Sequence, residues 1–131
     1  MNRISLLFML LSVLAITSCN NIVPVLNSEI EIRLKNVSDE KLEDLTLLNV
    51  EYGSLRPGKT SDYKSFEYFE TDGTHVIAFC ESNVNDESVS NGMIIYCGTG
   101  LDILDPGKYT IEVDYEASEK GYSGLTLTLV E

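Results

Sequence analysis

From Glu29 onward the chain alternates between apolar and polar residues. Glu29-Ile30-Glu31-Ile32-Arg33-Leu34-Lys35 sets Ile30, Ile32 and Leu34 on one face and charges on the other, the period of two that a half-buried strand requires. A second strand is predicted at about 44–52, with Leu48, Val50 and Tyr52 on one face. Its approach, Lys41-Leu42-Glu43-Asp44-Leu45, breaks phase and predicts a bulge or a short helical turn. A third strand covers about 61–70, with Tyr63 and Phe69 on one face and Phe66 and Tyr68 on the other. Thr71-Asp72-Gly73 then predicts a tight hairpin turn into a fourth strand at about 74–82. Residues 83–91 are polar and turn-rich and read as a loop. A fifth strand is placed at about 92–98. A sixth at 109–115 has Tyr109, Ile111, Val113 and Tyr115 on one face. Residues 117–122 turn the chain into a seventh strand at 125–129. No long amphipathic helix interrupts the series. Seven short strands with frequent turns predict an all-β domain, a seven-stranded antiparallel β-sandwich over residues 28–131.

The first residues follow a different pattern. Arg3 precedes an apolar run at 4–16, and Ile16-Thr17-Ser18-Cys19 closes it. Thirteen helical residues reach only about 20 Å, short of the roughly 30 Å hydrocarbon core. An export signal therefore fits better than a transmembrane helix. The Ile-Thr-Ser-Cys ending resembles the lipobox of bacterial lipoproteins. That resemblance implies cleavage after residue 18 and lipidation of Cys19 with a diacylglycerol thioether and an N-acyl chain such as palmitate. Several acyl chains, at about 0.8 kcal/mol per buried methylene, give near-permanent anchoring. Asn20, where an aspartate would favour the inner membrane, implies the outer membrane of the cell envelope. Residues 20–27 form a tether that spans at most about 28 Å when extended.

Removing residues 1–18 takes away one cation, Arg3. Eight Lys and Arg then face 21 Asp and Glu, a formal charge of −13. Such a surface repels nucleic acid and anionic lipid, and it suits a cationic protein or peptide. Cys80 and Cys97 remain, with sixteen residues between them. Outside the cytoplasm they are expected to form a disulfide, worth about 3 kcal/mol for a loop of that size. A hairpin of strands four and five with Cys80 opposite Cys97 would set Asn83 against Ile94 and leave 85–92 as the connection.

One motif occurs twice. Leu55-Arg56-Pro57-Gly58-Lys59-Thr60-Ser61 and Leu104-Asp105-Pro106-Gly107-Lys108-Tyr109-Thr110 share L-x-P-G-K-x-[ST]. Proline presets φ and glycine supplies a positive φ, so both copies are expected to be turns. Neither has the spacing of a phosphate-binding loop. The second copy resembles the L-x-P-G-x-Y element of fibronectin-III and other immunoglobulin-like sandwiches, which implies that Tyr109 anchors a corner. The order Arg33-Leu34-Lys35-Asn36-Val37-Ser38, then Tyr52-Gly53-Ser54-Leu55, then Leu104 to Val113 is similar to a group of small bacterial lipoproteins with an immunoglobulin-like domain. That resemblance spans about 28–131 and carries over no activity or site residue.

Catalytic candidates are sparse. His75 is the only histidine, which leaves a zinc site short of ligands and offers no nucleophile–base pair. Asn83, Asn85, Asp86 and Glu87 cluster in one loop and Asp114, Glu116 and Glu119 near another, but the EF-hand pattern for calcium is absent. No cofactor and no resident metal are expected. Tyr63, Phe66 and Tyr68 are the candidate binding surface, for a protein partner or for sugar rings. The expected function is that of a non-enzymatic, envelope-anchored binding or structural module. An inhibitor or scavenger of cationic proteins and a carbohydrate-binding module are the alternatives.

Overall fold

The computed structural model describes residues 29–92, 100–117 and 123–130. Among them the chain forms only strands: β1 (Ile30–Asn36), β2 (Leu42–Leu47), β3 (Val50–Leu55), β4 (Lys64–Phe66), β5 (Glu70–Asp72), β6 (His75–Val76), β7 (Cys80–Val84), β8 (Glu87–Ser90), β9 (Asp102–Ile103), β10 (Gly107–Glu116) and β11 (Gly124–Val130). One sheet runs β4-β1-β10-β11-β6-β5-β9 and the other β3-β2-β7-β8. All pairings are antiparallel except β1 with β10, which run parallel from Ile30 beside Gly107 to Asn36 beside Val113.

The larger sheet cannot be flat. Phe66 ends β4 and Glu70 begins β5, so their Cα atoms lie at most about 15 Å apart. Five flat strand spacings would put β4 and β5 about 24 Å apart. The sheet therefore curls, bringing its β4 edge towards β5. The core fills the space between it and the four-stranded sheet. Ile30, Ile32, Leu34, Ile111, Val113, Leu125 and Leu127 come from one side, and Leu42, Leu45, Leu47, Tyr52, Leu55, Val84 and Val89 from the other. Tyr52 Oη spans the layers and donates to the Ile32 carbonyl at 3.0 Å.

The clean alternations held. Ile30, Ile32 and Leu34 are buried, as are Ile111 and Val113, with Tyr109 and Tyr115 against the core. The broken phase at the start of the second strand is a bulge, with Asp44 at φ 50° and register shifts between Leu42 and Thr46. Three expectations need correction. The predicted strand at 44–52 is two strands of a hairpin, because Leu48 and Asn49 both adopt positive φ between Leu47 and Val50. The predicted strand at 61–70 is β4 and β5 on widely separated positions of one sheet. The predicted loop at 83–91 is a hairpin, with Asn85 and Asp86 (φ 51° and 67°) as a two-residue turn between β7 and β8. The predicted fifth strand, apart from Gly92, lies outside the described residues, as does most of the 117–122 turn.

The two L-x-P-G-K copies diverge. Gly58 has φ 73° and Lys59 N–H donates to Arg56 at 3.0 Å, so the first copy is the expected tight turn. The second is a correction: Gly107 has no positive φ and opens β10 directly. There the Tyr109 ring lies over Gly107, 3.5 Å from where a Cβ would stand, and Tyr109 Oη donates to the Asp105 carbonyl at 3.0 Å. The tyrosine, not the glycine, fixes that bend.

The strand directions give the domain two ends. β1 begins at one end, leaves at the other through residues 37–41, and β2 returns. The Leu48–Asn49 tip therefore lies at the end where the chain enters at Glu29. The far end is tied together by Asn36, whose buried Nδ2 donates to the Glu40 and Leu55 carbonyls (2.7 and 2.9 Å) while Oδ1 accepts from Ser38 N and Oγ.

Candidate functional site

The segments that join strands at the entry end leave apolar side chains uncovered. Leu48 at the β2–β3 tip is 43% exposed, Tyr68 between β4 and β5 is 53% exposed, and Phe79 just before β7 is 45% exposed. These three surround a groove of about 300 Å³ that is completed by Phe69, Glu70, Ile77 and Ala78. Leu48 N–H donates to the Phe79 carbonyl at 2.9 Å, which holds the tip against the 77–79 segment. Phe69 forms the buried floor and meets Phe66 edge-on, with centroids 5.6 Å apart and planes at 74°. Ile103, 60% exposed, lies opposite Glu70 on the neighbouring β9. Tyr68 Oη donates to the Glu70 carboxylate, and that bond to an acidic neighbour raises the phenol above its usual range.

The three aromatic residues expected to form one surface are dispersed. Tyr68 alone reaches the groove rim. Phe66 is core. Tyr63 stands on the outer side of the larger sheet, with the Arg33 guanidinium 5.1 Å and the Lys108 ammonium 4.8 Å from its ring centre. Around it Arg33 Nε donates to Thr110 Oγ1 at 2.9 Å, Lys35 pairs with Glu112 at 2.8 Å and Lys108 with Glu31 at 3.2 Å.

Carboxylates occur on both sheets, but the cations of the strands lie on one of them. Arg33, Lys35, Lys64 and Lys108 lie on β1, β4 and β10, and Arg56 and Lys59 belong to the turn bonded to the end of β1. The outer face of the four-stranded sheet carries Glu43, Glu51 and Glu81, joined by Asp44, Asp86 and Glu87. Among the described residues no cation lies on its four strands; Lys41, which pairs with Glu43, precedes β2, and Arg56 follows β3. Glu51 and Glu81 flank Thr46 from opposite sides in adjoining strands.

No protein-family model, curated protein or solved structure matches this chain.

Cys80 departs from expectation. Its thiol is free and fully buried. Burial, followed by the charge of Glu81, pushes its pKa up to about 12. The tight Asn85–Asp86 turn sets the register, so Ser88, not Ile94, faces Asn83. Asn91 closes the ladder opposite Cys80: its Oδ1 accepts from Cys80 N at 3.0 Å and its N–H donates to the Cys80 carbonyl at 3.2 Å. Cys97, the expected partner, and Cys19, the expected lipidation site, lie outside the described residues. His75 is exposed on β6 beside Asp72, at a second hollow of about 360 Å³. Among the described residues no three His, Cys, Asp or Glu side chains converge, and no helix is long and apolar enough to cross a membrane.

Sequence reasoning missed Leu48, Phe79 and Ile103 because it assigned the first two to strand faces and left the third in a connection. One signal was present. Val76-Ile77-Ala78-Phe79-Cys80 is a continuous apolar run, and a strand with one solvated face cannot bury all of it.

Proposed function

We propose that this chain is a non-enzymatic lipoprotein of the cell envelope, anchored through Cys19 and probing its surroundings with an immunoglobulin-like β-sandwich. The lipobox resemblance supports the anchor. The Tyr109–Asp105 corner and the two-sheet core support the immunoglobulin-like assignment. The single observation that carries the binding role is the absence, among the described residues, of any cation on the strands of the four-stranded sheet, whose outer face is acidic. A sheet face bearing Glu43, Asp44, Glu51 and Glu81 with no cation on its strands suits a cationic protein or peptide. It covers one side of the domain, from Glu43 nearer the far end to Glu51 and Glu81 beside the Leu48–Asn49 tip.

The anchor is tested by Cys19→Ala, which is expected to abolish incorporation of labelled palmitate. Unchanged labelling refutes the anchor. The docking face is tested by titrating a basic peptide or a basic lysozyme onto the protein at low ionic strength. Binding should weaken about tenfold or more in the double variant Glu51→Lys, Glu81→Lys, and should be unaffected by Arg33→Gln on the opposite sheet. Equal affinity for the charge-reversed protein removes this face as the site. With Tyr63 covered by cations and Phe66 in the core, the sugar-stacking alternative loses the shared platform it required.

A further inference from the structure

The segment of the chain that precedes Glu29 has a composition that suits the entry-end groove. Residues 20–28, Asn-Asn-Ile-Val-Pro-Val-Leu-Asn-Ser, contain no charge and four large aliphatic side chains: Ile22, Val23, Val25 and Leu26. A connector whose only task is reach would be polar, because exposed aliphatic surface in water is unfavourable.

The groove and this segment are within reach of each other. The Glu29 carbonyl accepts from Gly107 N at 3.3 Å, and three residues upstream Leu104 N donates to the Phe69 carbonyl at 3.1 Å. Glu29 therefore lies within about 20 Å of the groove floor, since three residues span at most about 11 Å. Leu26 is three residues before Glu29 and Ile22 seven. At about 3.5 Å per residue, their reach runs from roughly 10 to 25 Å and brackets that distance.

Other occupants fit the groove less well. Glu67, Glu70 and Asp102 stand at or beside its rim. A second copy would bring these carboxylates together, and a bilayer would have to accept them among its headgroups. An uncharged segment of the chain meets neither penalty. Its short connection also gives it an effective concentration on the order of millimolar before any contact forms.

We propose that residues 22–26 dock into the groove lined by Leu48, Tyr68 and Phe79. The groove is then a clasp for the chain's own leader to β1, and the free connector shortens to the few residues next to Cys19. This docking does not depend on the partner of the acidic face, nor on lipidation of Cys19.

The test uses the full chain in the cells that make it. Phe79 is replaced by p-benzoylphenylalanine, a photo-crosslinking aromatic, and cells are irradiated. Trypsin cuts nowhere between Lys64 and Lys108, or between Arg3 and Arg33. The expected product therefore joins the peptide ending at Arg33 to the peptide from Ser65 to Lys108, with the link at 22–26. The product should disappear when Ile22→Ser, Val23→Ser, Val25→Ser and Leu26→Ser are combined. Persistence of the product in that variant overturns the proposal. So does a phospholipid adduct, a dimer, a link to another protein, or no product from either position 79 or the same probe at position 68. Failure here would leave palmitate labelling and salt-sensitive binding unchanged, so it is separable from failure of the anchored-module reading.

Discussion

At the residue scale, two buried polar groups decide how the domain responds to substitution and to pH. Asn36 is fully buried, and all its hydrogen-bonding capacity is committed to the 37–41 segment and the end of β3. Asn36→Ala leaves several buried backbone and hydroxyl groups without partners, and a loss of about 2–3 kcal/mol in urea unfolding is expected. Cys80 acts through its proton. In the folded chain its pKa is raised from 9.0 to about 12. Between those values the unfolded chain holds fewer protons than the folded one. The stabilisation is therefore complete below about pH 9 and is lost as pH rises towards 12. Urea unfolding should show about 2 kcal/mol less stability at pH 10.5 than at pH 8, and Cys80→Ala should flatten this decline. Tyr52, raised above its ordinary 10.0 by burial and by Cys80, adds to the same alkaline loss. A maleimide should leave Cys80 unmodified in the native protein and label it after unfolding. Failure to label the unfolded chain without reductant would restore the Cys80–Cys97 bridge.

At the element scale, the turns determine what the alternation could and could not foretell. Period two placed β1, β10 and β11 nearly to the residue, because each has one face on the core. It could not find the breaks between β2 and β3, since Leu48 enters a left-handed conformation that leucine does not advertise. Nor could it tell that 61–70 serves two strands that are not neighbours in the sheet, a matter of sheet topology rather than local preference. The repeated Pro-Gly-Lys shows the same limit: identical residues turn at Gly58 and extend at Gly107, where the Tyr109 ring lies over the backbone. The candidate site was legible only in part, as Tyr68. Its other members owe their exposure to connections that sequence periodicity had read as strand. The Asn85–Asp86 turn offers a direct check. Both residues have positive φ, and Asn-Gly is the preferred pair for such a turn. Asp86→Gly should raise stability by up to about 1 kcal/mol in chemical unfolding.

For the whole molecule, the dominant long-range force is self-repulsion among 21 carboxylates opposed by nine cations. Added sodium chloride screens it, so the Tm should rise by on the order of 4 °C between low salt and 0.5 M. The same salt should weaken capture of a cationic partner, so stability and binding move in opposite directions. The parallel pairing of β1 with β10 has a mechanical consequence. A load entering at Glu29 and resisted by the body of the domain pulls along the axis of β1, which β10 flanks over seven residues and β4 grips on the other side. The ladder bonds are then loaded together in shear and must fail together, whereas a terminal strand peeled from an edge gives way one bond at a time. Force applied at Glu29 would thus meet a strand held on both sides rather than a free edge.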